Sequence, residues 1–199
     1  MRFVTFAGAV ALALTVTACN RNDDAGNTIS TDTNLADDAA VNDVLGANLQ
    51  ANATAPMPAD ATGFTNAVAA SDRFEIESAK VAASKGGSAE VKAFAKQLRA
   101  DHEKSSSDLK AAAAKATPAI TVTPALDPEK QGMLDQLKAA NGADFDRVFI
   151  DQQTNAHQKA LTMLQNYVGN GDSQPLKDFA SHAAAVIQGH LDQVNRIRK

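Results

Sequence analysis

One carboxylate and three imidazoles stand at the centres of four helical patterns: Glu75, His102, His157 and His190. Each replaces an apolar residue in an otherwise apolar stripe of three-and-four spacing. Burying such groups costs free energy unless they pair, lose their charge or bind something. One carboxylate and three imidazoles make a tetrahedral set for zinc, and suit copper or iron in other geometries. A mononuclear site filled by all four would be closed and structural, whereas catalysis needs an open position. The same four groups could instead form a buried polar network. Glu75 would accept from His102, and Ser71, Ser78, Ser105 and Gln153, one turn away, would satisfy the remaining donors. The residues by themselves leave both readings open.

Other chemistries are excluded more sharply. A di-iron carboxylate centre needs Glu-x-x-His on two helices, and Arg99, Thr154 and Ile187 stand three residues before the three histidines. No Cys-x-x-Cys-His run is present for covalent haem, and no Ser-His-Asp set, phosphate loop or paired carboxylates at glycosidase spacing can be found. Asp101 points about 100° away from His102 on a helix, which suits a salt bridge to Arg99 or Lys104 better than base chemistry. Asp146, beside Arg147, reads as a cap or ion-pair residue, and Tyr167 as core. The remaining histidine, His182, lies two turns from His190 and off the stripe, at a flank or the surface.

The elements that must position these groups are helical from residue 61 onward, with abundant alanine and with Gly and Pro only at breaks. A first helix spans about Ala61 to Lys85, capped by Asp60 or Thr62 and closed by Gly86-Gly87. A second starts at a capping Ser88 and runs to about Ala116. Thr117 to Leu126, with two prolines, reads as an extended connection. Asp127-Pro128-Glu129 is a strong helix start for a short extra helix ending at Asn141-Gly142. The third long helix runs from Asp144 to about Val168. The fourth follows the loop Gly169–Asp172, with Ser173 as cap, and ends in a basic terminus. The stripes predict an all-α, ferritin-like antiparallel four-helix bundle with a short extra helix before the third long one. In up-down-up-down order both tight turns share one end, and all four groups then lie about 20 Å below it at 1.5 Å per residue.

The first 18 residues carry one charge, Arg2, and then an apolar run too short to span a bilayer comfortably, as in a secretory signal. The run ends in Val-Thr-Ala-Cys, and Cys19 is the single cysteine of the chain. This segment resembles a bacterial lipobox, which implies cleavage before Cys19 and lipidation of its thiol. That anchor would be the chain's membrane partner, and no thiol would remain for a disulfide or metal site. Asn20 is not the aspartate linked to inner-membrane retention, so the resemblance implies the outer membrane, facing the periplasm. Residues 20–60 hold seven Asp against one Arg and no aromatic residue, the composition of a disordered tether about 35 Å in average reach. Residues 61–199 are nearly neutral, with 16 acidic and 17 basic side chains. They offer no electrostatic footprint for nucleic acid.

The domain also resembles a bacterial family, the domain of unknown function 4142 family. The resemblance rests on Phe-Glu-Ile-Glu-Ser-Ala-Lys around Glu75, Ala-Asp-His at Asp101-His102, Asp-Phe-Asp-Arg-Val-Phe around Asp146, Ala-His-Gln-Lys-Ala-Leu at His157 and Gly-His-Leu at His190. It covers about Phe64 to Ile197. It implies a ferritin-like bundle, an exported or envelope-attached protein, and Glu75, His102, His157 and His190 at the family's polar positions. A proline common in the family before the last histidine is missing, with Ala184-Ala185-Val186 in its place. The family has no settled activity, so the resemblance supports a fold and leaves the chemistry open. The expected role is a binding or structural envelope module. A periplasmic metal-binding protein is the alternative, and a metal-dependent redox or hydrolytic enzyme a weaker one.

Overall fold

A computed structural model of the chain describes residues 57–199. The expected signal segment, Cys19 and all but the last residues of the tether lie outside the described residues. Among the described residues five helices follow one another: α1 (Ala61–Lys85), α2 (Ala89–Ala114), α3 (Pro128–Ala139), α4 (Gly142–Asn170) and α5 (Gln174–Ile197). The capping residues read from the sequence act at three starts. Asp60 accepts from the Gly63 amide at 2.7 Å, Ser88 from Val91 at 3.1 Å and Asp127 from Lys130 at 2.8 Å. Ser173 precedes α5 but makes no capping hydrogen bond. Gly142, at φ +57°, turns the chain sharply between α3 and α4, a conformation that favours glycine.

The order of the long helices differs from the expected up-down-up-down. Asp146, near the start of α4, accepts from the Gly87 and Ser88 amides at 2.8 and 2.9 Å, so the α1–α2 turn and the start of α4 share one end. At the other end Tyr167, late in α4, stacks on Phe64, early in α1, with ring centroids 3.8 Å apart. α4 therefore runs parallel to α2 and antiparallel to α1. A crossover over residues 115–141, which includes α3, carries the chain back along the bundle, the single long connection of ferritin-like folds. The local pattern could not reveal this, because a ten-residue extended segment reaches either end. Asp146 thereby becomes a clamp on a distant turn, while Arg147 pairs with Asp144.

The four polar groups converge in spite of the altered order. His157 and His190 lie about 25 Å from the α4–α5 turn, and Glu75 and His102 about 20 Å from the opposite end. Together those heights span about the length of the 29-residue α4. The groups meet near mid-height and divide the core in two. Phe94, Leu98, Leu137, Phe145, Phe149 and Val194 fill the half nearer the α1–α2 turn. Phe64, Leu109, Leu164, Tyr167, Leu176 and Phe179 fill the other.

Candidate metal centre

His102, His157 and His190 are all buried and meet at the centre of the bundle. Their ring centroids lie 5.7, 5.5 and 5.1 Å apart in the three pairings. One nitrogen from each ring lies within 4.8 Å of the other two. Nitrogens held about 2.0 Å from one ion stand about 3.3–3.5 Å apart, so a small contraction would give a common coordination shell.

The partners of the opposite ring nitrogens decide what this cluster can do. His157 Nδ1 lies 2.8 Å from the main-chain carbonyl of Gln153, an acceptor only, so this nitrogen carries hydrogen and Nε2 keeps a lone pair. His190 Nε2 donates to Asp101 Oδ2 at 2.9 Å, which leaves the lone pair on Nδ1. His102 Nδ1 donates to Asp72 Oδ1 at 2.8 Å, and its buried Nε2 has no partner. Two lone pairs, on His157 and His190, and the partnerless nitrogen of His102 therefore belong to rings that gather around one small volume, each held at its far edge by an acceptor. Carboxylates and carbonyls orient ligating imidazoles in this way.

His157 Nε2 and His190 Nδ1 are 3.1 Å apart, and a hydrogen bond between them needs one extra proton. His157 resists it: burial, then the His102 and His190 charges, push its pKa down to about 3. Burial lowers His190 as well, although Asp101 opposes the shift. Burial works against a charge on His102 too, but the Asp72 hydrogen bond and the nearby Glu75, Asp72 and Asp101 charges outweigh it and raise its pKa. His102 is thus the proton holder of the trio, and a bound cation would displace that proton.

Glu75 does not join the three nitrogens. Its Oε1 lies 4.0 Å from His157 Nδ1, on the edge of the ring already given to Gln153. Its Oε2 has no hydrogen-bond partner, and burial pushes its pKa up to about 7 against the pull of the His102 charge. The expected Glu75–His102 bond is replaced by Asp72–His102. The hairpin centres on Gly87, which sets Asp72 level with His102 and Glu75 one turn, about 4.5 Å, nearer the turn. Ser106, rather than Ser105, donates to Asp72 at 3.2 Å. The Ser78 hydroxyl, expected to satisfy a donor, has no partner, while the Gln153 amide lies close enough to Glu75 to favour its charged form. Asp101 does not pair with Arg99 or Lys104, which bond Glu103 and Asp108 on their own helix; it reaches across to α5. Tyr167 is core, its hydroxyl donating to Asp172 at 3.0 Å.

Sequence reasoning missed Asp72 and gave Asp101 another partner. A signal existed in the pair Asp101-His102: adjacent residues point about 100° apart, so both can serve one site when each reaches a different helix.

A family model, the domain of unknown function DUF4142, matches residues 46–197, about three quarters of the chain. The chain belongs to this family. No functionally curated protein matches it. Among solved structures, this DUF4142 chain is similar to CopM in its Cu(I)-bound form, at 23% identity over 68% of this chain and 93% of CopM, with a TM-score of 0.57. Against the Cu(II)-bound form of CopM the identity is 20%, the coverage 69% and 94%, and the TM-score 0.58. A DUF305 fragment from Deinococcus radiodurans aligns at 12% identity over 72% of this chain and 97% of the fragment, with a TM-score of 0.60. These likenesses establish the helical-bundle fold.

Proposed function

We propose that this DUF4142 protein is a metal-binding protein of the cell envelope, tethered through a lipid on Cys19, which holds one transition-metal ion on His102, His157 and His190. The convergence of the three rings, with lone pairs on His157 and His190 and a proton on His102 that a cation would displace, carries the reading. Asp72, Asp101 and the Gln153 carbonyl orient the three rings, and Glu75 stands behind His157. Zinc, copper and iron all accept imidazole. Copper is the first choice, because it binds nitrogen sites most tightly of the divalent series and because CopM, of similar fold, was solved with copper. The role is binding rather than turnover. No described helix is long and apolar enough to cross a membrane; the proposed attachment at the outer membrane is through the lipid on Cys19.

Copper titration of the purified full chain, anaerobic for Cu(I) and aerobic for Cu(II), with elemental analysis after desalting, tests the site. One equivalent is expected, and His157→Ala is expected to abolish it. No metal uptake by the wild type, with a melting temperature that ignores added copper, would leave a buried polar network as the better account. Labelling cells with radioactive palmitate tests the anchor: label should appear on the wild type and vanish in Cys19→Ser.

A further inference from the structure

A groove of about 150 Å³ between α2 and α5 opens from solvent onto the polar layer, with His102 and His190 in its wall. The larger groove, about 380 Å³ between α1, α2 and the crossover, is walled by none of the three histidines. At the inner end of the smaller groove, Asp101 is 35% exposed and holds His190, which is 1% exposed, so one carboxylate touches both solvent and the buried ring. His102, whose buried Nε2 has no partner, lines the same wall. At the outer end stands His182, exposed and eight residues before His190, about 12 Å along α5. Small or short side chains, Ser105 and Ala183, line the passage between them. The one cation of the wall, Lys104, is held aside by its ion pair with Asp108 on the next turn of α2.

We infer that the α2–α5 groove is the route by which the ion reaches and leaves the three-histidine centre, with His182 as the outer capture ligand and Asp101 as the carboxylate that hands the ion inward. The inference rests on the metal-binding reading and adds the direction of access. An imidazole at the mouth, a carboxylate midway and imidazoles inside form a descending series of ligands. Phe179, Val186 and Ile187 also line the groove, so the ion would keep part of its water between His182 and Asp101 and lose it only at the inner carboxylate. The two apolar half-cores seal the centre along the bundle axis. The groove passes sideways between two helices and needs no helix to unwind.

A route changes loading and release rates by the same factor and leaves their ratio, the affinity, unchanged. The test follows transfer of Cu(I) from its coloured bicinchoninate complex to the full chain under anaerobic stopped flow. Removal by excess bicinchoninate gives release, and the end-points give affinity. Val186→Trp, at an exposed position of the groove wall, should slow both rates by about tenfold or more. His182→Ala should slow them about three- to tenfold, with affinity in both variants within about threefold of wild type. Lys110→Trp, in the wall of the other groove, should change neither rate. Wild-type rates in Val186→Trp and His182→Ala, with affinity intact, would overturn the route and leave the metal centre standing. No copper transfer to the wild type at all would overturn the centre and the route together.

Discussion

Phe64 and His157 are equally buried, at 0% and 1% exposed, yet the regions around them are built on opposite terms. Around Phe64, Tyr167 stacks at 3.8 Å and Phe179 meets the ring edge-on at 6.4 Å, and apolar surface covers apolar surface. Around His157, the Glu75 Oε2, Ser78 hydroxyl and His102 Nε2 are sealed from water with no hydrogen-bond partner. Native interiors keep few such atoms, because each costs about 1–3 kcal/mol. The half-cores hold the helices together, while the layer between them is tolerated at a cost in stability. That contrast teaches where to look for selection on something other than folding.

Four experiments break or sharpen the contrast. The largest effect belongs to the half-core: Phe64→Ala should lose about 3–5 kcal/mol in urea unfolding and keep copper affinity at the wild-type value. Should affinity fall in step with stability, layer and half-core are one unit. His157→Leu should do the reverse. Copper uptake disappears, while the metal-free variant unfolds at equal or higher urea, by as much as about 1–4 kcal/mol, as when buried polar clusters give way to apolar side chains. A strongly destabilised His157→Leu would show that the layer supports the fold.

The third experiment uses pH. The folded-state pKa of Glu75, about 7, lies above its ordinary 4.5, so folding holds this proton more tightly. Its contribution to stability is complete below about pH 4.5 and is lost as pH rises through about 7. Glu75→Gln removes this burden, so the variant should gain on wild type by about 2–3 kcal/mol between pH 5 and pH 8, read from melts at both. A constant difference across that range would place the titration elsewhere. His157 has the opposite sign. Its folded value of about 3 lies below 6.5, so its contribution is whole above pH 6.5 and is lost as pH falls toward 3. The smallest effect is expected from Asp72→Asn, which keeps the shape and weakens the hold on His102. Copper affinity should drop about 10–100-fold in the bicinchoninate competition, with little change in melting temperature. Unchanged affinity would remove Asp72 from the site.

Much of this was legible in the chain. The helix starts at Asp60, Ser88 and Asp127 are local chemistry, since a cap and its amide partner lie three residues apart. The three histidines could be recognised as one site because each interrupts an apolar stripe at the middle of its helix. Partners across helices were less legible. A single turn of register decides whether Asp72 or Glu75 meets His102, and the hairpin's centre moves with one residue of the Gly86–Ser88 turn. Asp101 was misjudged because its own helix offers Arg99 and Lys104, whereas its carboxylate finds the α5 imidazole across a groove that no local pattern describes.

By itself, then, the sequence determined the helices, their apolar faces and the height of the polar groups along each one, because periodicity and capping act within a few residues. The tertiary structure decided that α4 runs parallel to α2, that Asp72 and Asp101 hold the rings, and that Glu75 stands behind His157 rather than among the three nitrogens. Those outcomes depend on which way a long crossover returns and on fractions of a helical turn. Both are settled only when the two apolar half-cores pack, since burying their side chains selects one order and one register out of several that the same stripes allow.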